Sequence, residues 1–390
     1  MKKLCYVATI PAVVHSFLRA HIQAAAATEL YEVTVVCNSV DRHLLDGLPA
    51  RLIFLPIERK PSLLQDVLAA RKLYKLFRDE RFDIVHSIMP KTGFMAMLVG
   101  WLAFVPCRIH TFTGQVWITQ HGAKRVLLKW VDKLIGGFAT DVLADSASQR
   151  DFLVNQGLLP RSKVRVIGAG SICGVDPSRF RPDRQMRQDV RDELGIPQGS
   201  RVILFVGRLT RDKGILDLAA AFPLLVKEFP DIVLLFVGAE EDIAFGKIQA
   251  TSNVESECLH YVPFTPTPER YMAAADIFCQ PSYREGFGMT LIEAAACGVP
   301  SVASRIYGIV DAVEDGRSGL LFEAGNVSSL CMALSKLLAD EGLRQYLGDT
   351  ARVRALELFS VQKITGEMMH LYGNCSNNGE KAKDGKSVSP

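Results

Sequence analysis

The feature that most restricts this chain is an alternation that runs through it twice. Leu4–Ile10, Val33–Cys37 and Leu52–Pro56 are β-branched or unbroken apolar runs, and Asp83–His86, Arg108–Phe112, Asp141–Ala144 and Lys163–Ile167 continue them. Strands apolar along their whole length belong to parallel sheets, which bury both faces under helices. Helical patterns fall between them, at Phe17–Thr28, Leu63–Phe77 and Lys91–Phe104. Such alternation predicts an open α/β sheet with right-handed crossovers. After a polar stretch holding Pro177, Pro182 and Pro197 the pattern restarts: Val202–Val206, Leu216–Phe229, Ile232–Val237, His260–Val262, Ile277–Cys279 and Pro300–Ala303. The expected fold class is therefore α/β, with two Rossmann-like parallel-sheet domains facing across a cleft. The expected bounds are 1–170 for the first domain, 171–200 for a Pro-containing linker and 201–357 for the second domain. Residues 326–340 and 342–372 read as helical, with 358–373 returning to the first domain. The polar stretch 374–390 reads as a disordered tail.

Charge separates the halves. The first 175 residues carry 22 Lys+Arg against 13 Asp+Glu, and the remainder carries 23 against 29. A basic first half suits an anionic lipid surface or a phosphorylated acceptor. Nucleic acid is not expected, since no basic run is interleaved with aromatics. The nine cysteines are odd in number, scattered and without a CxxC pair. That usage predicts a reducing compartment, with neither disulfides nor structural zinc. Met1-Lys2-Lys3 followed by Leu4–Val14 has the order of a signal peptide, but His15, Arg19 and His21 interrupt it, so Leu4–Ile10 is read as the first strand. Phe94–Val105 is apolar over 12 residues, too short to cross a bilayer.

Two segments carry chemistry. Gln280–Val299 (QPSYREGFGMTLIEAAACGV) joins a strand to a helix through a Gly-Phe-Gly bend, with Glu285 before the bend and Glu293 eight residues on. Glycines there let the backbone approach a ligand, and a helix start favours an anion. Two carboxylates flanking a phosphate can hold two sets of hydroxyls, the outline of a nucleotide-sugar site; an ordinary βα turn with two surface glutamates has the same spacing. The second segment is Gly207-Arg208-Leu-Thr-Arg-Asp-Lys213-Gly214, which places a guanidinium and an ammonium at a strand end. That pair suits a diphosphate, although a solvated basic turn reads the same way in isolation.

Taken together, VGRLTRDKG, YREGFGMTLIEAAACGVPSVAS and EDGRSGLLF resemble the retaining glycosyltransferases of family 4, with the two-domain GT-B fold. The resemblance covers about residues 202–325; Gly170–Pro182 (GSICGVDPSRFRP) is similar to the family's crossover into the donor domain. First-half similarity rests on strand order and Arg108–Gly114 (RIHTFTG), and is nearest to bacterial transferases that build surface polysaccharide on a polyprenyl-diphosphate carrier, in O-antigen, lipopolysaccharide, capsule or exopolysaccharide synthesis. The resemblance implies that Gly207, Arg208 and Lys213 meet the donor diphosphate. It implies that Glu285 with the N–H groups of Gly286, Phe287 and Gly288 holds the donor sugar. The N–H groups of Met289, Thr290 and Leu291 would meet the phosphates, Glu293 the ribose, and the loop at Phe264 the base. His110 stands where relatives place a histidine against the donor sugar, though a core histidine fits that position too. His15 and Arg19, with His21 beside them and Thr113 and Gly114 farther on, are the acceptor-side candidates. The first βα turn, Thr9-Ile-Pro-Ala-Val-Val-His15, lacks the family's glycines.

The chemistry agrees with those roles. Glycosyl transfer requires a cationic sugar-like transition state and a stabilised diphosphate leaving group. The chain contains no Asp-x-Asp, so Arg208 and Lys213 are expected to supply the positive charge with no metal and no cofactor. The expected partners are a nucleotide sugar, with UDP ahead of GDP, a lipid-linked saccharide and an anionic membrane. The basic amphipathic segment Lys124–Ile135 (KRVLLKWVDKLI) is the membrane candidate; packing on its own core is the other reading. Each basic residue near an anionic surface is worth on the order of 1 kcal/mol. The expected location is the cytoplasmic face of the membrane, peripherally bound. A sugar-nucleotide epimerase of the same fold and a non-catalytic sugar-nucleotide-binding partner of an assembly complex are the rival readings. A dinucleotide oxidoreductase is disfavoured, because no G-x-G-x-x-G follows the first strand.

Overall fold

The computed structural model describes residues 1–58 and 62–383. The chain divides into two compact units, Met1–Cys173 with Gln362–Pro390, and Gly174–Val361. Unit 1 contains β1 (Lys2–Val7), β2 (Tyr31–Cys37), β3 (Arg51–Phe54), β4 (Ile84–Ile88), β5 (Cys107–Phe112), β6 (Asp141–Ala144) and β7 (Val164–Val166), in the order β3-β2-β1-β4-β5-β6-β7. Unit 2 contains β8 (Arg201–Val206), β9 (Ile232–Val237), β10 (Leu259–Val262), β11 (Ile277–Gln280), β12 (Ser301–Ser304) and β13 (Gly319–Phe322), in the order β10-β9-β8-β11-β12-β13. Every pairing in both sheets is parallel. This is the doubly wound arrangement, with one reversal of strand order in each sheet: β1/β4 in unit 1 and β8/β11 in unit 2.

The apolar runs form the cores because both sheet faces are covered. In unit 1, Cys5, Val7, Val85, Phe112 and Val142 pack with Leu73, Phe77, Met95, Ala96 and Ile135 from the helices Leu63–Glu80, Pro90–Leu102 and Gly122–Phe138. In unit 2, Ile203, Phe205, Leu234, Phe236 and Val302 pack with Leu218, Phe222, Leu334 and Leu337.

Three expectations about the chain's organisation are corrected. The stretch 171–200 is not a free linker. Its helix Arg184–Leu194 is capped by Asp183, whose carboxylate accepts from Met186 N–H, and ends at left-handed Gly195. Arg191 of that helix is fully buried, bonded to Asp276 at 2.8 Å and to the carbonyls of Ala274 and Ser200. The region 342–372 is two helices, Glu341–Phe359 and Val361–Lys383. Ser360 between them is extended, because it bridges to Val175 beside bonds from Val175 N–H to Phe359 O and from Val361 N–H to Val175 O. Of the expected tail, Asn374–Lys383 continues the last helix, and 384–390 lie outside the described residues.

That last helix belongs to unit 1 from Gln362 onward. Tyr372, wholly buried, donates to Tyr6 Oη of β1 at 3.0 Å. It therefore accepts from His86 Nδ1 of β4 at 2.6 Å, and His86 Nε2 in turn accepts from Thr111 Oγ1 at 2.8 Å. A chain of buried polar groups bonded to one another gives a helix one register on a sheet.

Candidate active site

In open α/β sheets ligands bind beyond the carboxyl ends of the strands, where the strand order reverses. In unit 2 that place is flanked by the segment after β8, Gly207–Gly214, and the segment after β11, Pro281–Gly288. The two are tied together. Tyr283 N–H donates to Asp212 O at 2.9 Å, and Arg284 reaches the Asp212 carboxylate at 3.0 Å. Gly214, at φ +65, lies so close that an added Cβ would sit 1.9 Å from the Pro281 carbonyl oxygen. Only glycine meets both demands there.

Across this seam Lys213 Nζ donates to Glu285 Oε1 at 2.5 Å. The same oxygen accepts from Gln280 Nε2 at 2.6 Å and Ser282 Oγ at 2.8 Å, and Oε2 receives none of these bonds. Burial pushes the Glu285 carboxyl up, but the Lys213 charge and the three donors outweigh it and hold the group below its ordinary range. Arg208 is the second cation and pairs with Glu241. Thus both positive groups stand at the β8 end, each placed by a carboxylate.

The helix Met289–Ala296 starts from Gly288 at φ +89 with no side-chain cap. Met289 and Thr290 open the helix. The Leu291 N–H, expected to face phosphate, instead donates to Gly288 O at 3.0 Å; this tight first turn removes Leu291 from the phosphate-facing set. Phe287 is core, its ring 5.1 Å from that of Phe359. Glu293 differs from Glu285. No side-chain hydrogen bond to its carboxylate occurs among the described residues, and burial raises its pKa to about 7, with Arg179 lowering and Glu269 raising it. Arg179 is committed to Glu269 at 2.7 Å. A carboxylate desolvated without donors is one that donor hydroxyls can satisfy. Phe264 lies just beyond β10, 72% exposed.

Gln280 is the residue sequence reasoning missed. Buried at the end of β11, it donates to Glu285 and accepts from Thr290 Oγ1 at 2.9 Å, which fixes its amide orientation. Its signal was its place, a polar residue ending an apolar strand directly before Pro281-Ser282. Gln280→Ala removes one of three donors to a charged acceptor, worth about 1.5–3 kcal/mol. Turnover should therefore fall roughly 10- to 100-fold, with donor KM little changed; steady-state kinetics showing unaltered turnover would remove Gln280 from the site.

In unit 1 the reversal lies between β1 and β4, and the residues expected on the acceptor side divide. His15 lies exposed in a π turn, Val14–Leu18, at the start of the first helix. Its Nδ1–H and Arg19 Nη2 converge on the Leu44 carbonyl at 3.1 and 2.6 Å. Thr113 and Gly114 directly follow β5, at its carboxyl end. His21 is corrected: it is fully buried, its Nε2–H donating to Ile172 O at 2.8 Å. His110 is the catalytic candidate of this unit. It sits two residues short of the end of β5, fully buried, with Nδ1 bonded to Ser87 Oγ at 2.9 Å and its ring 4.6 Å from Phe112. Burial lowers its pKa to about 3 and keeps the imidazole neutral, and its Nε2 is buried without a hydrogen-bond partner among the described residues. Gly93 faces it so closely that a Cβ there would come within 2.2 Å of the imidazole. Among the described residues, one group places metal-ligand atoms within 4.8 Å of one another: Cys107, Asp141 and Cys375. Cys107 and Asp141 begin β5 and β6, so this group lies at the end of the sheet opposite the ligand side.

Residues 186–354 match the family description "Glycosyl transferases group 1", and residues 18–170 match "Glycosyl transferase 4-like domain". The chain is 29% identical to a capsular polysaccharide biosynthesis glycosyltransferase, CapM, of Staphylococcus aureus, over 82% of this chain and 83% of that protein. It is 27% identical to the UDP-Gal:alpha-D-GlcNAc-diphosphoundecaprenol alpha-1,3-galactosyltransferase of Escherichia coli, over 88% and 89%. Among solved structures, a sucrose-phosphate synthase from Thermosynechococcus elongatus superposes with a TM-score of 0.80 at 22% identity, over 96% and 99% of the two chains. Anabaena HepE in complex with UDP-glucose gives 0.79 at 18%, over 96% and 100%. With a doubly wound sheet in each unit and both units matched, the chain is a glycosyltransferase of the GT-B fold. Within that class it belongs to glycosyltransferase family 4.

Proposed function

We propose that this enzyme is a retaining, metal-independent transferase. It moves a hexose or N-acetylhexosamine from a nucleotide sugar, UDP-linked, to a polyprenyl-diphosphate-linked saccharide in bacterial surface polysaccharide synthesis. The observation that carries this reading is the seam in unit 2. Lys213 and Arg208 stand at the end of β8, and Glu285, joined to Lys213, stands beyond β11. A departing diphosphate there meets two fixed cations. Gly207 and Gly288 permit close backbone approach, Glu285 Oε2 and the turn Gly286–Gly288 take the sugar, and Met289 and Thr290 open the helix towards phosphate. Glu293 takes the ribose and Phe264 stacks on the base. Preorganised charge of this kind acts on the leaving group without a bound cation. Support for UDP and for a lipid-linked acceptor comes from the names of the relatives.

On the acceptor side, His15, Arg19, Thr113 and Gly114 lie beyond the carboxyl ends of β1 and β5. The basic helix Gly122–Phe138 would hold the enzyme on the inner face of the cell membrane. A thermal-shift screen against UDP-, GDP- and ADP-sugars tests the donor, since a ligand of the native state raises its stability by mass action. The expected result is a rise with a UDP-sugar, activity unchanged by EDTA, and a product of retained anomeric configuration by NMR. An inverted product would overturn the assignment.

A further inference from the structure

Three neighbouring helices cover one face of the unit 1 sheet: Leu63–Glu80 packs against Pro90–Leu102, which packs against Gly122–Phe138. Each carries exposed apolar residues on its outer side, where a solvent-facing helix would be polar throughout. On Gly122–Phe138, Val126, Leu127, Trp130 and Leu134 are exposed between Lys124, Arg125, Lys129 and Lys133, and the helix's single acid, Asp132, is buried against Trp117. On Leu63–Glu80, Leu64 (80% exposed), Val67, Leu68 and Tyr74 face outward with Arg71, Lys75 and Arg78. The acids of that helix are Asp66, paired with Lys91, Glu80, paired with Lys3 and Arg51, and exposed Asp79.

The middle helix presents Phe94, Leu98, Trp101 and Leu102 at helical spacing, half-buried to exposed. Two residues past its end stands Phe104, 81% exposed and held at φ +58, a conformation rarely adopted by a bulky side chain. Trp101, Leu102, Phe104, Val105, Pro106 and Arg108 line a groove of about 290 Å³ beside it.

We infer that these three helices form one docking surface for an anionic phospholipid bilayer. The apolar middle helix and the Trp101–Phe104 turn enter the interface, and the basic rows on both sides meet headgroups. The inference deepens the membrane reading given above and rests on it. It adds a second basic helix and an aromatic turn that the charge pattern of Lys124–Ile135 does not contain. Charge complementarity selects the occupant. A second copy of the same cationic face would set like charges together, whereas anionic lipid neutralises them. Burial of Trp, Phe and Leu at the interface adds attraction that salt does not screen.

The test is co-sedimentation of the full chain with vesicles of phosphatidylglycerol and phosphatidylcholine, compared with phosphatidylcholine alone. UDP-sugar thermal shift is measured in parallel, so that loss of membrane binding and failure of the donor reading are separable. Wild type should bind the anionic vesicles preferentially and keep part of that binding at 0.5 M salt, a condition of roughly half the physiological Debye length. Leu64→Ser/Val67→Ser/Leu68→Ser and Trp101→Ser/Phe104→Ser change exposed residues only. Each should weaken vesicle binding about tenfold and leave the nucleotide thermal shift unchanged. Wild-type vesicle binding by both variants would overturn the three-helix surface. Absence of vesicle binding by wild type, with concentration-dependent dimers abolished by the same substitutions, would overturn the choice of lipid in favour of a second copy.

Discussion

Lys213→Ala should lose turnover by about 10²- to 10³-fold, the loss seen when one preorganised charge donor is removed from a developing anion. The fold should persist. The Lys213 side chain is partly exposed, and Gln280 and Ser282 still donate to Glu285 Oε1. Leaving that carboxylate with fewer partners should lower stability by about 1–3 kcal/mol, visible as a fall in Tm. Two effects then combine in one substitution. The departing diphosphate loses a cation, and Glu285 loses the charge that keeps it ionised against burial. Lys213→Arg should recover only part of the rate, since a planar fork cannot repeat the contact of a compact ammonium. Wild-type turnover in Lys213→Ala would remove this lysine from the mechanism.

Glu293→Gln should separate donor affinity from stability, with opposite signs. Burial raises the Glu293 carboxyl from an ordinary 4.5 to about 7, with Arg179 opposing the rise and Glu269 adding to it. In the folded state it therefore keeps its proton between pH 4.5 and 7, where the unfolded chain has lost it. Stability from this group is present below the unfolded pKa and is lost as pH rises through about 7. A donor whose hydroxyls bind the carboxylate needs the ionised form, so donor KM should rise as pH falls below about 7. The amide variant should thus melt higher than wild type at pH 8, bind donor more weakly there, and lose the pH dependence of KM. An unchanged profile between pH 6 and 8 would exclude Glu293 from donor binding.

How far the fold could be read in advance varies by element. The strands were legible because parallel strands buried on both faces leave unbroken apolar runs; Val202–Val206 and Ile232–Val237 match β8 and β9 almost to the residue. The helix Arg184–Leu194 was passed over because it is mostly polar and its apolar row is narrow: Met186, Val190 and Leu194. Its boundary signals, Asp183 and Gly195, were present. β13, Gly319–Phe322, is only four residues and opens on glycine, too short for periodicity to declare. The break at Ser360 depends on Val175, 185 positions away in sequence, which no local pattern contains.

The site divides in the same way. The order of residues alone shows which groups stand at the strand ends: Gly207–Gly214 and Gln280–Val299 are each contiguous, so residue type and spacing carry the chemistry. It also determined the two-unit α/β class, since hydrophobic period is local. Which of those groups meet is set by the folded chain. Lys213 pairs with Glu285 from 72 positions away, through loops brought together because β8 and β11 are neighbours in the sheet. Burial is likewise a property of the assembled fold. It enclosed His110 and His21, raised Glu293 while Lys213 and three donors held Glu285 low against the same effect, and left exposed apolar residues on three helices. Desolvation depends on everything packed around a group, and that surrounding is made by residues distant in the chain.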